Sequence, residues 1–123
     1  MNGHYIEQRP WGCFEILSGF PVQDESGQDV MVKKITVKPL SRLSYQSHKF
    51  RNEHWIVVQG KGRVILDGKE REVKAGESVD IPVGTKHRMI NEGQDLDLIF
   101  IEVSTGHFDE GDNTRLEDDF GRK

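Results

Sequence analysis

The chain carries a single cysteine, Cys13. An internal disulfide is therefore excluded, which fits a reducing cytosol. Cys13 falls in a strand-like run, Cys13-Phe-Glu-Ile-Leu17, and reads as packing rather than as a nucleophile or redox centre. Long apolar runs are also missing. The longest, Trp55–Val58 and Leu98–Ile101, hold four residues each, where a membrane-spanning helix needs about 20. The opening stretch MNGHYIEQRPWG lacks the apolar core of a signal peptide, so a cytoplasmic location is expected. Basic charge is not in excess: 17 Lys and Arg stand against 21 Asp and Glu, for a net charge of -4 and a pI near 5.7. The basic residues are scattered rather than striped, so neither nucleic acid nor a membrane surface is an expected partner. No internal repeat, linker or low-complexity tract divides the 123 residues, and residues 1–123 are expected to form one domain.

What is present is a series of short strand-like runs between glycine-containing turns. The runs are Cys13–Ser18, Val30–Val37, Leu43–Ser47, Glu53–Val58, Arg63–Leu66, Glu70–Val73, Ser78–Ile81, His87–Asn91 and Asp97–Val103. The turn signals are Ser26-Gly27, Lys61-Gly62, Asp67-Gly68, Ala75-Gly76, Val83-Gly84 and Glu92-Gly93. Asp67-Gly68, set between two such runs, is the clearest hairpin. A helical turn is expected only near Thr114–Phe120. Many short, evenly spaced strands with glycine turns indicate an all-β barrel or sandwich. The acidic tail from Asp109 lacks the spacing of a calcium loop and reads as solvated surface.

Gln46, His48, Glu53 and His87 stand out as one candidate metal site. Strand alternation puts Gln46 and His48 on one face. The polar segment Lys49 to Asn52 suits a turn, and a hairpin there would bring Glu53 back beside His48. His87 must be delivered by the fold. Two imidazoles, a carboxylate and an amide oxygen suit zinc first, with manganese, iron, cobalt or nickel as alternatives. A lone histidine in a strand is more often packed than ligating. Two spaced segments together single these residues out. The first reads Gln46-x-His48, four residues, Glu53, six residues, Gly60. The second reads Gly76, five residues, Pro82-Val-Gly84, two residues, His87, three residues, Asn91.

The two segments resemble the paired motifs of the cupin superfamily, with Leu40 where a glycine is usual and Gln46 where the commoner cupins have histidine. That resemblance narrows the barrel to a single-domain cupin jelly roll. A particular branch is closer still: the type II phosphomannose isomerase domain, which in larger bacterial enzymes follows a mannose-1-phosphate guanylyltransferase domain. Arg9-Pro-Trp-Gly12, Val32 through Pro39, and Gln46-x-His48 with Arg51-x-Glu53-His54-Trp55 carry the likeness. So do Ile101-Glu-Val103, Thr105-Gly106, Arg115, Asp118 and Phe120-Gly-Arg122. This branch uses glutamine at the position of Gln46. The segment His107–Thr114 departs from the family's run.

The resemblance implies a metal-dependent sugar-phosphate isomerase that interconverts mannose 6-phosphate and fructose 6-phosphate through an enediol. With no nucleotidyltransferase domain in the sequence, guanylyl transfer is not expected. The alternative is a non-catalytic cupin that binds a sugar or metabolite. Another cupin enzyme, such as a dioxygenase, fits less well with Gln46 and with no third ligand histidine. Candidates for the base are Glu53, His87 and Lys33. Because ligation lowers basicity, Lys33 or the non-ligand Glu102 is favoured. Arg51, Arg115 and Lys33 are candidates for holding the phosphate. Alternation would place Ser44 and Arg42 in the lumen with Gln46 and His48. Arg42 and Arg88 otherwise read as surface charges. Trp55 shares the inward parity of Glu53, His54 is expected to be structural, and Trp11 to be core or a dimer contact. Asn91 is expected to tie a turn. A homodimer paired through sheet edges is expected on the family's habit.

Overall fold

The computed structural model describes residues 5–23, 29–107 and 113–117. The turn signal at Ser26-Gly27, His4, most of the acidic tail, and the family-like Asp118, Phe120 and Arg122 lie outside the described residues. Among those described, every regular element is a strand, as the glycine-punctuated pattern requires, and no helix is long and apolar enough to cross a membrane.

Among the described residues, twelve strands form two sheets. The first runs β1 (Tyr5–Arg9), β2 (Gly12–Gln23), β3 (Asp29–Val37), β11 (Leu98–Gly106), β6 (Arg51–Gln59) and β9 (Ser78–Ile81) in spatial order. The second runs β12 (Asn113–Glu117), β5 (Tyr45–His48), β10 (His87–Asn91), β7 (Lys61–Leu66) and β8 (Lys69–Lys74), with the short β4 (Ser41–Arg42) also on β10. All pairings are antiparallel. The inner faces meet in a core that includes Val37, Val57, Val64, Val79, Met89, Leu98 and Phe100. Full burial of side chains of this size contributes about 1.5–3 kcal/mol each.

The inner faces change character along the barrel. On β11 the buried positions read Leu98, Phe100, Glu102, Ser104; on β6, running the other way, they read Val57, Trp55, Glu53. The apolar end is the core and the polar end is a pocket. Trp55 and Phe100, with ring centroids 4.7 Å apart, mark the boundary.

Local chemistry explains most turns. Asp67 and Gly68 both take positive φ, 48° and 83°, the two-residue turn that suits the twist of a hairpin. Ser78–Ile81 and His87–Asn91 are strands with the expected bounds. Elsewhere the sequence pattern misled. Lys61-Gly62 is not a turn. Gly60, at φ 86°, makes it, and Gly62 lies within β7. Its lack of a side chain allows close approach, because a Cβ there would fall 2.3 Å from the Ile90 carbonyl oxygen. Thr114 to Glu117 belong to a strand, not a helical turn, because β12 pairs with β5 from Asn113 to Glu117. Leu43 and Ser44 lie outside any strand.

The link from His48 to Glu53 is not a hairpin. β5 pairs with β10 and β12, whereas β6 pairs with β11 and β9. The turn at Lys49–Phe50 carries the chain from one sheet to the other. His48 and Glu53 therefore meet across the barrel interior.

Candidate metal centre

Most polar side chains of the pocket are set by a strand register. Residues directly opposite in an antiparallel pair share a face. Glu53 is opposite Ser104, and Trp55 is opposite Glu102, which is opposite Lys33 on its other side. In the second sheet Gln46 is opposite both His87 and Arg115. The turn before β10 aims His87: Thr85 N donates to the Pro82 carbonyl at 3.1 Å, and Gly84 N donates to the His48 carbonyl at 2.8 Å. Gly84 takes φ 83°, a conformation that glycine adopts without penalty.

His48, Glu53 and His87 are buried, and one ligand atom from each lies within 4.8 Å of the others. His87 Nδ1 donates to the Thr85 carbonyl oxygen at 2.8 Å. Its Nε2 therefore carries the lone pair. That atom is buried without a hydrogen-bond partner and stands 3.7 Å from Glu53 Oε1. His48 Nε2 is 3.2 Å from Glu53 Oε2. Trp55 Nε1 donates to Glu53 Oε1 at 3.0 Å and orients the carboxylate. An imidazole fixed by a backbone carbonyl, a carboxylate fixed by an indole, and an orphaned nitrogen aimed between them fit a divalent ion.

Burial tends to raise the Glu53 pKa, but the hydrogen bond from His48 and the charges of His87, His48 and Arg51 outweigh it, and the carboxyl is held well below its usual range. His87 is pushed down, chiefly by burial, against the opposing pull of Glu53. Glu102 behaves in the opposite way to Glu53. Burial first, then the Glu53 charge, pushes its carboxyl up to about 7, only partly offset by Lys33 and Arg51. Ser104 Oγ donates to Glu102 Oε2 at 3.0 Å.

The pocket is lined by Gln46, His48, Glu53, Ser44, Arg51, Arg115, Lys33, Glu102 and Trp55, so these residues named from the sequence converge on it, and His87 meets it through Glu53. Its volume is about 120 Å³. Arg51 lines the pocket. It reaches inward to the metal-site residues, with Nε 3.3 Å from Glu53 Oε2 and Nη2 3.2 Å from His48 Nε2. Arg42 does not enter the lumen. The chain leaves strand geometry after it, Leu43 and Ser44 are both buried, and the alternation fails there.

Arg88 is not a surface charge. It is 2% exposed, and its Nε donates to the Leu43 carbonyl oxygen at 2.7 Å. Its Nη1 and Nη2 donate to Glu117 Oε1 at 3.3 Å and to the Glu117 carbonyl oxygen at 3.2 Å. Arg9, Trp11, Phe14 and Ile35 also line the pocket. Arg9 had only the Arg9-Pro-Trp-Gly12 block to point to it. Trp11 belongs to the core. His54 faces outward against Asp80, its partner across β9. Asn91 Nδ2 donates to the carbonyls of Val37 and Leu96, and its Oδ1 accepts from Gly93 N, which ties the turn as expected.

Comparison with known proteins adds the following. A family model described as "Mannose-6-phosphate isomerase C-terminal" matches residues 1–118. Mannose-1-phosphate guanylyltransferase ManC of Salmonella typhimurium is 40% identical over 120 residues, which is 97% of this chain and 23% of that protein. The chain thus spans about a quarter of the length of the curated relatives it matches. Among solved structures, the capsular polysaccharide assembling protein CapF from Staphylococcus aureus superposes with a TM-score of 0.80 at 26% identity, covering 96% of this chain and 34% of that one. A Cupin 2 conserved barrel domain protein from Salinispora arenicola, 23% identical, superposes at 0.62 over 80% of this chain and 76% of that one. It shares the barrel fold.

Proposed function

The chain belongs to the family of the mannose-6-phosphate isomerase C-terminal domain, and from that premise we propose that it is a metal-dependent aldose–ketose isomerase acting on mannose 6-phosphate and fructose 6-phosphate. One observation carries the reading. The buried triad His48, Glu53 and His87 opens through His48 and Glu53 onto a pocket also lined by a carboxyl with a raised pKa, Glu102, and by Lys33, Arg51 and Arg115.

In this reading His48, Glu53 and His87 hold a divalent ion, with Gln46 as a fourth ligand and zinc as the first choice. The bound ion supplies polarisation of the substrate's carbonyl and hydroxyl oxygens. Glu102 moves the proton between C2 and C1; a carboxyl near pH 7 can both accept and return it. Lys33, opposite Glu102 in the register, stabilises the charge that develops on the substrate oxygen. Arg51 and Arg115 hold the phosphate, and Ser44 donates to a substrate hydroxyl. Trp55, packed on Phe100, closes the floor and excludes water.

The alternative is a cupin that binds a sugar or metabolite without turnover, and the size of the cavity bears on both readings. Its 120 Å³ falls below the ~300–1,000 Å³ of most ligand pockets. A sugar phosphate enters only if lining side chains withdraw. A coupled assay on protein loaded with zinc, cobalt, manganese or nickel separates the two. Isomerisation is expected, and Glu102→Gln should lower kcat by roughly 10²–10⁴-fold with metal content kept. Saturable binding of mannose 6-phosphate without product under every metal refutes the isomerase reading.

A further inference from the structure

Glu53 is 5% exposed, and a buried carboxylate needs a cation or a set of donors to offset its desolvation. Here the cation is Arg51. Its guanidinium lies 3.3 Å from Glu53 Oε2 and 3.2 Å from His48 Nε2, against two of the side chains that a divalent ion would take. A guanidinium does not lose its charge, so it cannot give way by deprotonation. An ion arriving at Glu53 and His48 meets a fixed positive charge at the same atoms.

We propose that Arg51 is a displaceable counter-cation. Binding of a divalent ion by His48, Glu53 and His87 drives its guanidinium off Glu53 and His48 and into the adjoining pocket, where it becomes the donor for an anionic substrate group. The inference rests on the metal-site reading above and deepens it.

Two features make the side chain, rather than the backbone, the moving part. Gly106 lies opposite Arg51 in the register, and the strands approach so closely there that a Cβ on Gly106 would fall 2.7 Å from Arg51 Cα and 2.2 Å from the Phe50 carbonyl oxygen. His107 N donates to that same oxygen at 2.8 Å. The backbone of Arg51 is thus pinned. Its side chain is 21% exposed against 3% for Glu53, so it lies on the solvent side of the triad and lines the pocket.

The consequence is a reciprocal coupling. Metal releases Arg51 for the anion, and the anion, by holding Arg51 outside, tightens metal binding by the same factor. Couplings of this kind typically amount to about 5–150-fold.

The test is cobalt(II) binding, followed by its d–d absorption, to wild type, Arg51→Gln, Arg51→Lys and His87→Ala, with and without mannose 6-phosphate. Arg51→Gln should bind cobalt(II) roughly tenfold more tightly than wild type, and Arg51→Lys should stay close to wild type. Mannose 6-phosphate should tighten cobalt(II) binding to wild type and not to Arg51→Gln. Equal or weaker binding by Arg51→Gln, with binding lost in His87→Ala, overturns the displacement and leaves the metal site standing. Full affinity in His87→Ala overturns the metal site itself and the displacement with it. A second measurement needs no variant. The Arg51 Nε–Hε resonance of the wild-type protein should move on addition of one equivalent of zinc, and a resonance that stays in place also refutes the displacement.

Discussion

Replacing Arg88 with methionine tests how the second sheet is held together. Arg88 is a buried cation that joins two strands and a connecting segment: it sits on β10, bonds the Leu43 carbonyl before β5, and bonds Glu117 at the end of β12. Methionine keeps much of the volume but none of the donors. The Leu43 carbonyl oxygen is then left buried and unsatisfied, at a cost of about 1–3 kcal/mol. The bond to the Glu117 carbonyl contributes about 1 kcal/mol more. The ion pair to the Glu117 carboxylate adds little, because that side chain is 65% exposed and exposed pairs are worth about 0–1 kcal/mol. Arg88→Met should therefore lose about 2–4 kcal/mol in urea unfolding, whereas Glu117→Ala should lose less than about 1 kcal/mol. The loss should be felt first in β12. Backbone amides of Thr114 and Arg115 should exchange faster in Arg88→Met than those of β7 and β8, since β12 pairs only with β5 among the described strands. The same strand carries Arg115 to the pocket, so affinity for mannose 6-phosphate should fall while metal content is kept. If Arg88→Met unfolds at the wild-type urea concentration, or if Glu117→Ala costs as much as Arg88→Met, the buried hydrogen bond to Leu43 is not what holds the sheet.

The Glu102 carboxyl is harder to ionise in the folded than in the unfolded chain, with its pKa raised from 4.5 to about 7. Its contribution to the stability of metal-free protein is present below pH 4.5 and is lost as pH rises through 7. Glu102→Gln should remove that loss and leave the metal-free protein more stable than wild type above pH 7 by up to on the order of 3 kcal/mol; an unchanged difference in stability between pH 5 and pH 8 would count against the raised pKa. Leu40 is 71% exposed and takes φ 58°, which costs a side-chain-bearing residue about 1–2 kcal/mol, less the ~0.5–1 kcal/mol of extra unfolded-state freedom that glycine brings. Leu40→Gly should raise the urea midpoint by the equivalent of about 0.5–1 kcal/mol with an unchanged slope, and a lowered midpoint would show that the leucine side chain supplies packing that outweighs its strain.

Local signals made much of this molecule legible. Two-residue alternation placed Glu53 and Trp55 on the inner face of β6, and the Asp67-Gly68 pair specified a hairpin, because pleat and turn conformation depend on neighbours in the chain. The spacing of Gln46, His48, Glu53 and His87 is written in the sequence itself. Leu40 shows the limit of reading residue types. The backbone there keeps the positive φ that glycine would allow, so the substitution altered the strain and not the turn. What the tertiary structure decided is which sheet each strand joins. His48 and Glu53 meet across the interior and not across a hairpin, because β5 and β6 find partners far along the chain. Arg88 is buried because β12 and the Leu43 segment cover a face of β10 that alternation alone would leave to solvent. Arg51 turns toward Glu53 because a carboxylate enclosed by both sheets draws in a cation within reach. Enclosure is a property of the packed sheets, and no stretch of the sequence contains it.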